Sequence, residues 1–262
     1  MGLTRVSAFK FVYDGKSDVG VVREENQDAF TIVALESASS LGERGLLLVI
    51  ADGMGGLACG ATASQLAVAA MTEIYFSTGG TPREALLAAA KEANHRIYQE
   101  AQKLPGNQAM GSTLTALALF AGHGLIAQVG DSRAYGIPES SALSQLTRDH
   151  TLVQELVDCG EIEPDSLPYT LHRNVLTRGL GLEEDVEIDI SEISDIKFGD
   201  QFLLCSDGLY DVVTEEEIES RLRVQSDSLD ALLDYFIELA RSRGAPDNVT
   251  VVLVRVEEDD RA

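Results

Sequence analysis

Four times in this chain an aspartate stands at the end of a β-like run, where the rim of a sheet should be. Leu47-Leu48-Val49-Ile50-Ala51-Asp52-Gly53 and Phe202-Leu203-Leu204-Cys205-Ser206-Asp207-Gly208 are the clearest cases. Ala127-Gln128-Val129-Gly130-Asp131-Ser132-Arg133 repeats the arrangement, as does Pro246-Asp247-Asn248 just ahead of the last apolar run. A single Asp-Gly is a favoured turn dipeptide. Carboxylates gathered at one rim are different, because each raises the pKa of the others unless cations neutralise them. Hard divalent ions with oxygen ligands are the natural partners. Zinc is not, since His95, His123, His150 and His172 have no ligand spacing.

The surrounding pattern frames these sites. β-like runs at Asp18–Val22, Ala29–Leu35 and Leu46–Ala51 precede two helical patterns, Leu57–Phe76 and Pro82–Gln102. The second opens on a capping box, Thr81 with Glu84, and has Pro82 in its first turn. A β meander follows over Ser112–Ala121, Gly124–Gly130, Ser132–Ile137 and Leu143–Leu146. Thr151–Asp158 reads as a short helix, and Gly160–Gly181 has no clear period. Val186–Ile190 and Gln201–Ser206 read as strands. Thr214 with Glu217 caps a helix, and Leu229–Arg243 is another, stopped by Gly244 and Pro246. Val249–Val256 is a closing strand. Strands in series and helices in pairs predict α+β: two antiparallel β-sheets forming a central sandwich flanked by pairs of antiparallel helices, a four-layer αββα arrangement. With 6 prolines and neither repeat nor linker, residues 1–262 are expected to form a single domain.

Composition narrows the function. At 45% hydrophobic and 24% charged, 262 residues can build a core without disulfide staples. Cys59, Cys159 and Cys205 lie far apart, outside any CxxC pair and beside apolar residues. All three are expected to be buried thiols, in a reducing, cytoplasmic setting. A net charge of −23 with no basic patch argues against nucleic acid and anionic lipid as partners. No apolar run reaches the roughly 18 residues of a membrane span, and Met1–Lys10 lacks the core of a signal peptide.

Two further features could carry chemistry. Arg23, in the polar stretch before Asp28, offers a guanidinium fork that can hold two phosphate oxygens at once. Gly53, Gly55 and Ala58 fit the G-x-G-x-x-A form of a dinucleotide fingerprint. The helix after them leads to a second helix, not to a strand ending in an acid for the ribose.

Seven blocks stand in an order that resembles the type 2C metal-dependent protein phosphatase (PPM) family, and its bacterial branch most. They are Arg23–Asp28, Ala51–Gly56, Gly111–Thr113, Val129–Arg133, Asn174–Arg178, Leu204–Leu209 and Asp247–Thr250, and the likeness runs from about Gly15 to Val256. The resemblance implies hydrolysis of phosphoserine and phosphothreonine in proteins by water activated at a binuclear Mn2+ or Mg2+ centre. By position, Asp52 would bridge two ions, the Gly53 carbonyl would bind the second, and Asp207 and Asp247 would complete the first. Asp28 would orient the water and Arg23 would hold the substrate phosphate. Asp131, with Asp207, would bind a third, weaker ion, and Asp149–Gly181 would be a flap. Implied partners are phosphorylated proteins, the substrates of a Ser/Thr kinase, with the protein acting as a monomer. Three departures stand out: Met54 where animal relatives have His, Gln27 where they have Glu, and Thr170-Leu171 where many bacterial relatives have His-Pro. The alternatives are a phosphoprotein-binding pseudophosphatase and a dinucleotide-binding enzyme.

Overall fold

The computed structural model describes residues 2–6, 9–34, 44–56, 59–105, 109–120, 122–164, 166, 172–224 and 228–258. Among them the strands form two antiparallel sheets. The first runs in the order β1 (Gly2–Val6), β2 (Phe9–Asp18), β12 (Val249–Glu258), β11 (Gln201–Cys205), β8 (Arg133–Ile137) and β9 (Ser144–Gln145). The second runs β10 (Asp189–Ile193), β7 (His123–Val129), β6 (Leu114–Phe120), β4 (Leu46–Gly55) and β3 (Asp28–Ala34). A short strand, β5 (Met110–Ser112), pairs with the far end of β4.

Strand parity builds the layers. Leu46, Leu48 and Ile50 face Phe202, Leu204, Val252 and Val254 of the other sheet and form the inner core. Leu47, Val49 and Ala51 face the opposite way, onto helices α1 (Cys59–Ser77) and α2 (Pro82–Ala101). These helices meet the sheet through alanines, including Ala63, Ala67, Ala89 and Ala93, all fully buried, which let the backbones approach closely. Leu203, Cys205, Val251 and Leu253 likewise cover α5 (Glu215–Leu222) and α6 (Leu229–Ser242). Each fully buried Leu or Phe in these layers contributes roughly 1.5–3 kcal/mol. Two smaller helices complete the set, α3 (Leu152–Asp158) and α4 (Asp207–Tyr210). The capping boxes at Thr81/Glu84 and Thr214/Glu217 are both formed.

This is the predicted sandwich, with local corrections. Asp18–Val22 is not a strand: β2 ends at Asp18, and Gly20 turns the chain at φ +78°, leaving Val21 and Val22 52% and 65% exposed. The strand expected at Val186–Ile190 is displaced to Asp189–Ile193, where it finds β7 as a partner. Only Cys205 is a buried thiol. Cys59 is half-buried, and Cys159 is exposed because it caps the solvent-facing end of α3. With both sheets antiparallel there is no βαβ unit around Gly53 and Gly55, and the dinucleotide reading falls. Ala58, Thr170 and Leu171 lie outside the described residues.

Candidate metal centre

The alternation that buries the inner core also delivers the acids. Asp28, Phe30 and Ile32 share one face of β3, and Asp52 follows Leu48 and Ile50 on the inward face of β4. Asp28 and Asp52 are cross-strand partners in the register. Asp207 opens α4 directly after β11, Asp247 precedes β12, and Asp131 lies in the turn between β7 and β8. All these ends converge on one end of the sandwich. A cleft of about 410 Å³ there is lined by Arg23, Asp52, Gly53, Asp131, Asp207 and Asp247, among others. Asp28 lies behind Asp52.

Asp52-Gly53 is therefore not a turn. It lies inside β4 at the point where the strand leaves β3 and β6 and takes β5 as its partner. Thr113 holds this crossover from both sides: its N–H donates to the Asp52 carbonyl (2.8 Å), and its Oγ1 accepts from the Asp52 N–H (2.9 Å). Gly53 N–H donates to the Gln27 carbonyl at 3.1 Å. A Cβ on Gly53 would lie 2.0 Å from the Gly60 carbonyl oxygen and 2.7 Å from that of Gln27, so only glycine lets α1 begin this close to β4.

The hydroxyls that hold the Asp28 carboxylate come from across the sandwich. Its Oδ2 accepts from Ser206 Oγ at 2.7 Å and Thr250 Oγ1 at 2.6 Å. Asn248 ties down the loop that carries Arg23: its Nδ2 donates to the Val19 and Glu25 carbonyls, and its Oδ1 accepts from Gln27 N–H. Arg23 reaches Asp247 through Nη2, at 2.6 Å from Oδ2. Met54 is half-buried and lines the cleft.

The electrostatics are those of a site short of positive charge. Burial, then Asp28, Asp207, Asp131 and Asp247, push the Asp52 carboxyl well above its ordinary value. Burial and then Asp131, Asp211 and Asp247 do the same to Asp207. Burial, with Asp149 nearby, lifts Asp131 to about 7; burial lifts Asp28 to about 6 against the bonds from Thr250 and Ser206. Carboxyls raised in this way bind more protons folded than unfolded, so the metal-free fold loses stability as pH climbs above the ordinary carboxylate range. Asp28 Oδ1 and Asp207 Oδ1 are buried with no hydrogen-bond partner. Carboxyl oxygens left without a partner are hard donors that fit Mn2+ or Mg2+. Among the described residues no three Asp, Glu, His or Cys side chains close into a finished cage. The acids ring the cleft, Arg23 holds one of them, and main-chain carbonyls and water would have to complete any coordination sphere.

The sequence profile of the protein phosphatase 2C family matches residues 21–250, a span that takes in every residue of this cleft. The chain belongs to the protein phosphatase 2C family. It is 39% identical over 251 residues to the serine/threonine protein phosphatase PstP of Mycobacterium tuberculosis, covering 95% of this chain and 45% of that protein. It thus spans less than half the length of that relative. To the serine/threonine phosphatase stp of Listeria welshimeri it is 35% identical over 244 residues, covering 91% of this chain and 93% of the other. The catalytic domain of PstP in complex with two manganese ions superimposes with a TM-score of 0.79 at 36% identity, covering 95% of this chain and 100% of that one.

In the sequence of this protein phosphatase 2C chain the acids stand out, and what holds them does not. Thr113, Ser206, Thr250 and Asn248 stand in the motif blocks, yet nothing in their spacing says that they clamp Asp52, Asp28 and the Arg23 loop.

Proposed function

We propose that residues 1–262 form one metal-dependent phosphatase domain that hydrolyses phosphoserine and phosphothreonine in proteins, with the segment 149–181 as a flap beside the cleft. The observation that carries this reading is the convergence of Asp52, Asp131, Asp207 and Asp247 on one cleft, with a buried Asp207 oxygen left unpaired. Asp52 and the Gly53 carbonyl, with Asp207 and Asp247, would hold two divalent ions, and Asp131 with Asp207 a weaker third. Bound there, the ions would supply a water of lowered pKa and positive charge for the phosphoryl oxygens. Asp28, fixed by Ser206 and Thr250, would orient that water. The substrates would be phosphoproteins made by a Ser/Thr kinase, met by a monomer in the cytoplasm. No helix among the described residues is long and apolar enough to cross a membrane.

Phosphate release from a phosphothreonine peptide, measured with Mn2+, Mg2+ or EDTA, tests the reading. Release with either ion and none with EDTA is expected. A peptide that binds the metal-loaded protein and is never hydrolysed would instead identify a binding protein.

With Asp247 serving as a metal ligand, Arg23, now paired with it at 2.6 Å, would offer its fork to the phosphate. Arg23→Lys keeps the charge and loses the paired geometry, so KM for the phosphopeptide should rise about tenfold, the scale of one charge-assisted hydrogen bond. An unchanged KM would return Arg23 to the surface. Asp131→Ala should keep the two tighter Mn2+ sites and lower turnover roughly tenfold or more. Crystals of that variant soaked in Mn2+ and holding three ions would exclude Asp131 as a ligand.

A further inference from the structure

We propose that His150 is a positioning residue: it clamps the turn that carries Asp131 and ties it to the chain segment returning along the cleft. The inference rests on the proposed role of Asp131 as a metal ligand.

His150 is 1% exposed and lies just before α3, where sequence spacing gave it no task. Its ring accepts from the Gly130 N–H at Nδ1, at 3.1 Å. Nδ1 must then be unprotonated, so the ring proton sits on Nε2, which faces Asp189 Oδ2 of β10 at 3.1 Å. Arg178 in turn donates to Asp189 Oδ1 at 2.9 Å and fixes that carboxylate. Burial, with Arg178 and Arg148 nearby, outweighs Asp189 and holds the imidazole below its ordinary pKa, which preserves Nδ1 as an acceptor.

The main chain of His150 completes the grip. Its N–H donates to the Gly130 carbonyl at 2.9 Å, so one residue takes both the donor and the acceptor of the glycine before Asp131. Gly130 has φ +95°, and a Cβ there would meet the Thr113 side chain at 2.7 Å. The turn is thus pressed against the same Thr113 that holds Asp52. Asp131 itself is 7% exposed, and its carbonyl accepts from Tyr210 Oη at 3.0 Å. The His150 carbonyl accepts from Thr177 N–H at 2.8 Å, beside Leu176, which lines the cleft. The direction of the Asp131 carboxylate and the path of residues 174–177 therefore share one anchor.

Two substitutions separate this role from space filling. His150→Asn places an acceptor where Nδ1 stands but cannot reach Asp189. His150→Gln keeps a donor toward Asp189 and loses the acceptor for Gly130. In His150→Gln, the Gly130 amide should exchange with solvent about tenfold faster, the effect of losing one buried hydrogen bond, and the weakest Mn2+ affinity measured by calorimetry should fall by a similar factor. In His150→Asn both should stay within about twofold of wild type. Equal losses in the two variants, or a faster Gly130 amide with unaltered Mn2+ affinity, would overturn the proposal. Nitrogen NMR of the wild-type full chain decides the matter even where a variant fails to fold. An Nε2–H tautomer with a scalar coupling between Gly130 N and His150 Nδ1 is expected, and an Nδ1–H tautomer would exclude the clamp. None of these readouts needs turnover, so a protein that releases no phosphate would count against the phosphatase reading and leave this one standing.

Discussion

Asp52→Asn and Asp207→Asn should each leave a folded protein whose phosphopeptide turnover is lower by about 100-fold or more, the scale of losing a principal electrostatic stabiliser. Asn is nearly isosteric with Asp, and the backbone of Asp52 is held by Thr113, so local structure should survive. What disappears is charge. In wild type the Asp52 carboxyl is pushed up by burial and by Asp28, Asp207, Asp131 and Asp247, so its ionised form opposes the metal-free fold at neutral pH. Without metal the Asn variants should therefore melt no lower than wild type, and Mn2+ should raise their melting temperature far less. Near-normal turnover in either folded variant would sink the binuclear centre.

A loss of comparable size should follow from Gly53→Ala, by a different route. The added methyl would meet backbone on two sides, the Gly60 and Gln27 carbonyls at 2.0 and 2.7 Å, and neither can rotate away. Separating β4 from the start of α1 should cost about 3 kcal/mol or more, the upper range for overpacking. It should also displace Asp52 and the Gly53 carbonyl from the cleft and take turnover down with stability. Gly56 is the internal control. It is exposed, and a Cβ added there would meet nothing within 4 Å, so Gly56→Ala should stay within about 0.5 kcal/mol of wild type. Similar melting curves for the two alanine variants would contradict the close approach.

The sandwich was legible in the sequence where local pattern and tertiary demand agree. Runs such as Leu46–Ala51 are buried on both faces, and the capping boxes at Thr81 and Thr214 mark helix starts that tertiary contacts leave in place. Val21 and Val22 misled because β-branched residues beside Asp18 look like a strand, while Gly20 turns the chain there, its N–H donating to Asp18 Oδ1 at 2.8 Å, and packs against backbone more than two hundred residues away. A Cβ at Gly20 would lie 2.3 Å from the Asp247 carbonyl oxygen. The second half of β2 went unread because Asp14, Gly15, Lys16 and Ser17 are polar or small, and they become strand by pairing with β12. Within the site, aspartates at strand ends announce themselves. Their supports do not, since Ser206 and Thr250 reach Asp28 across 178 and 222 residues, and His150 reaches Gly130 and Asp189 across 20 and 39.

Hydrolysis should depend on divalent ions held by these carboxylates, a dependence that metal removal and return can expose. The dependence is tested most directly by titrating the EDTA-stripped full chain with Mn2+ in a calorimeter while phosphate release from a phosphothreonine peptide is measured at each increment. No release is expected from the stripped protein, with turnover rising as the second ion binds. Turnover undiminished in EDTA, or full Mn2+ occupancy with bound phosphopeptide and no phosphate released, would contradict this expectation.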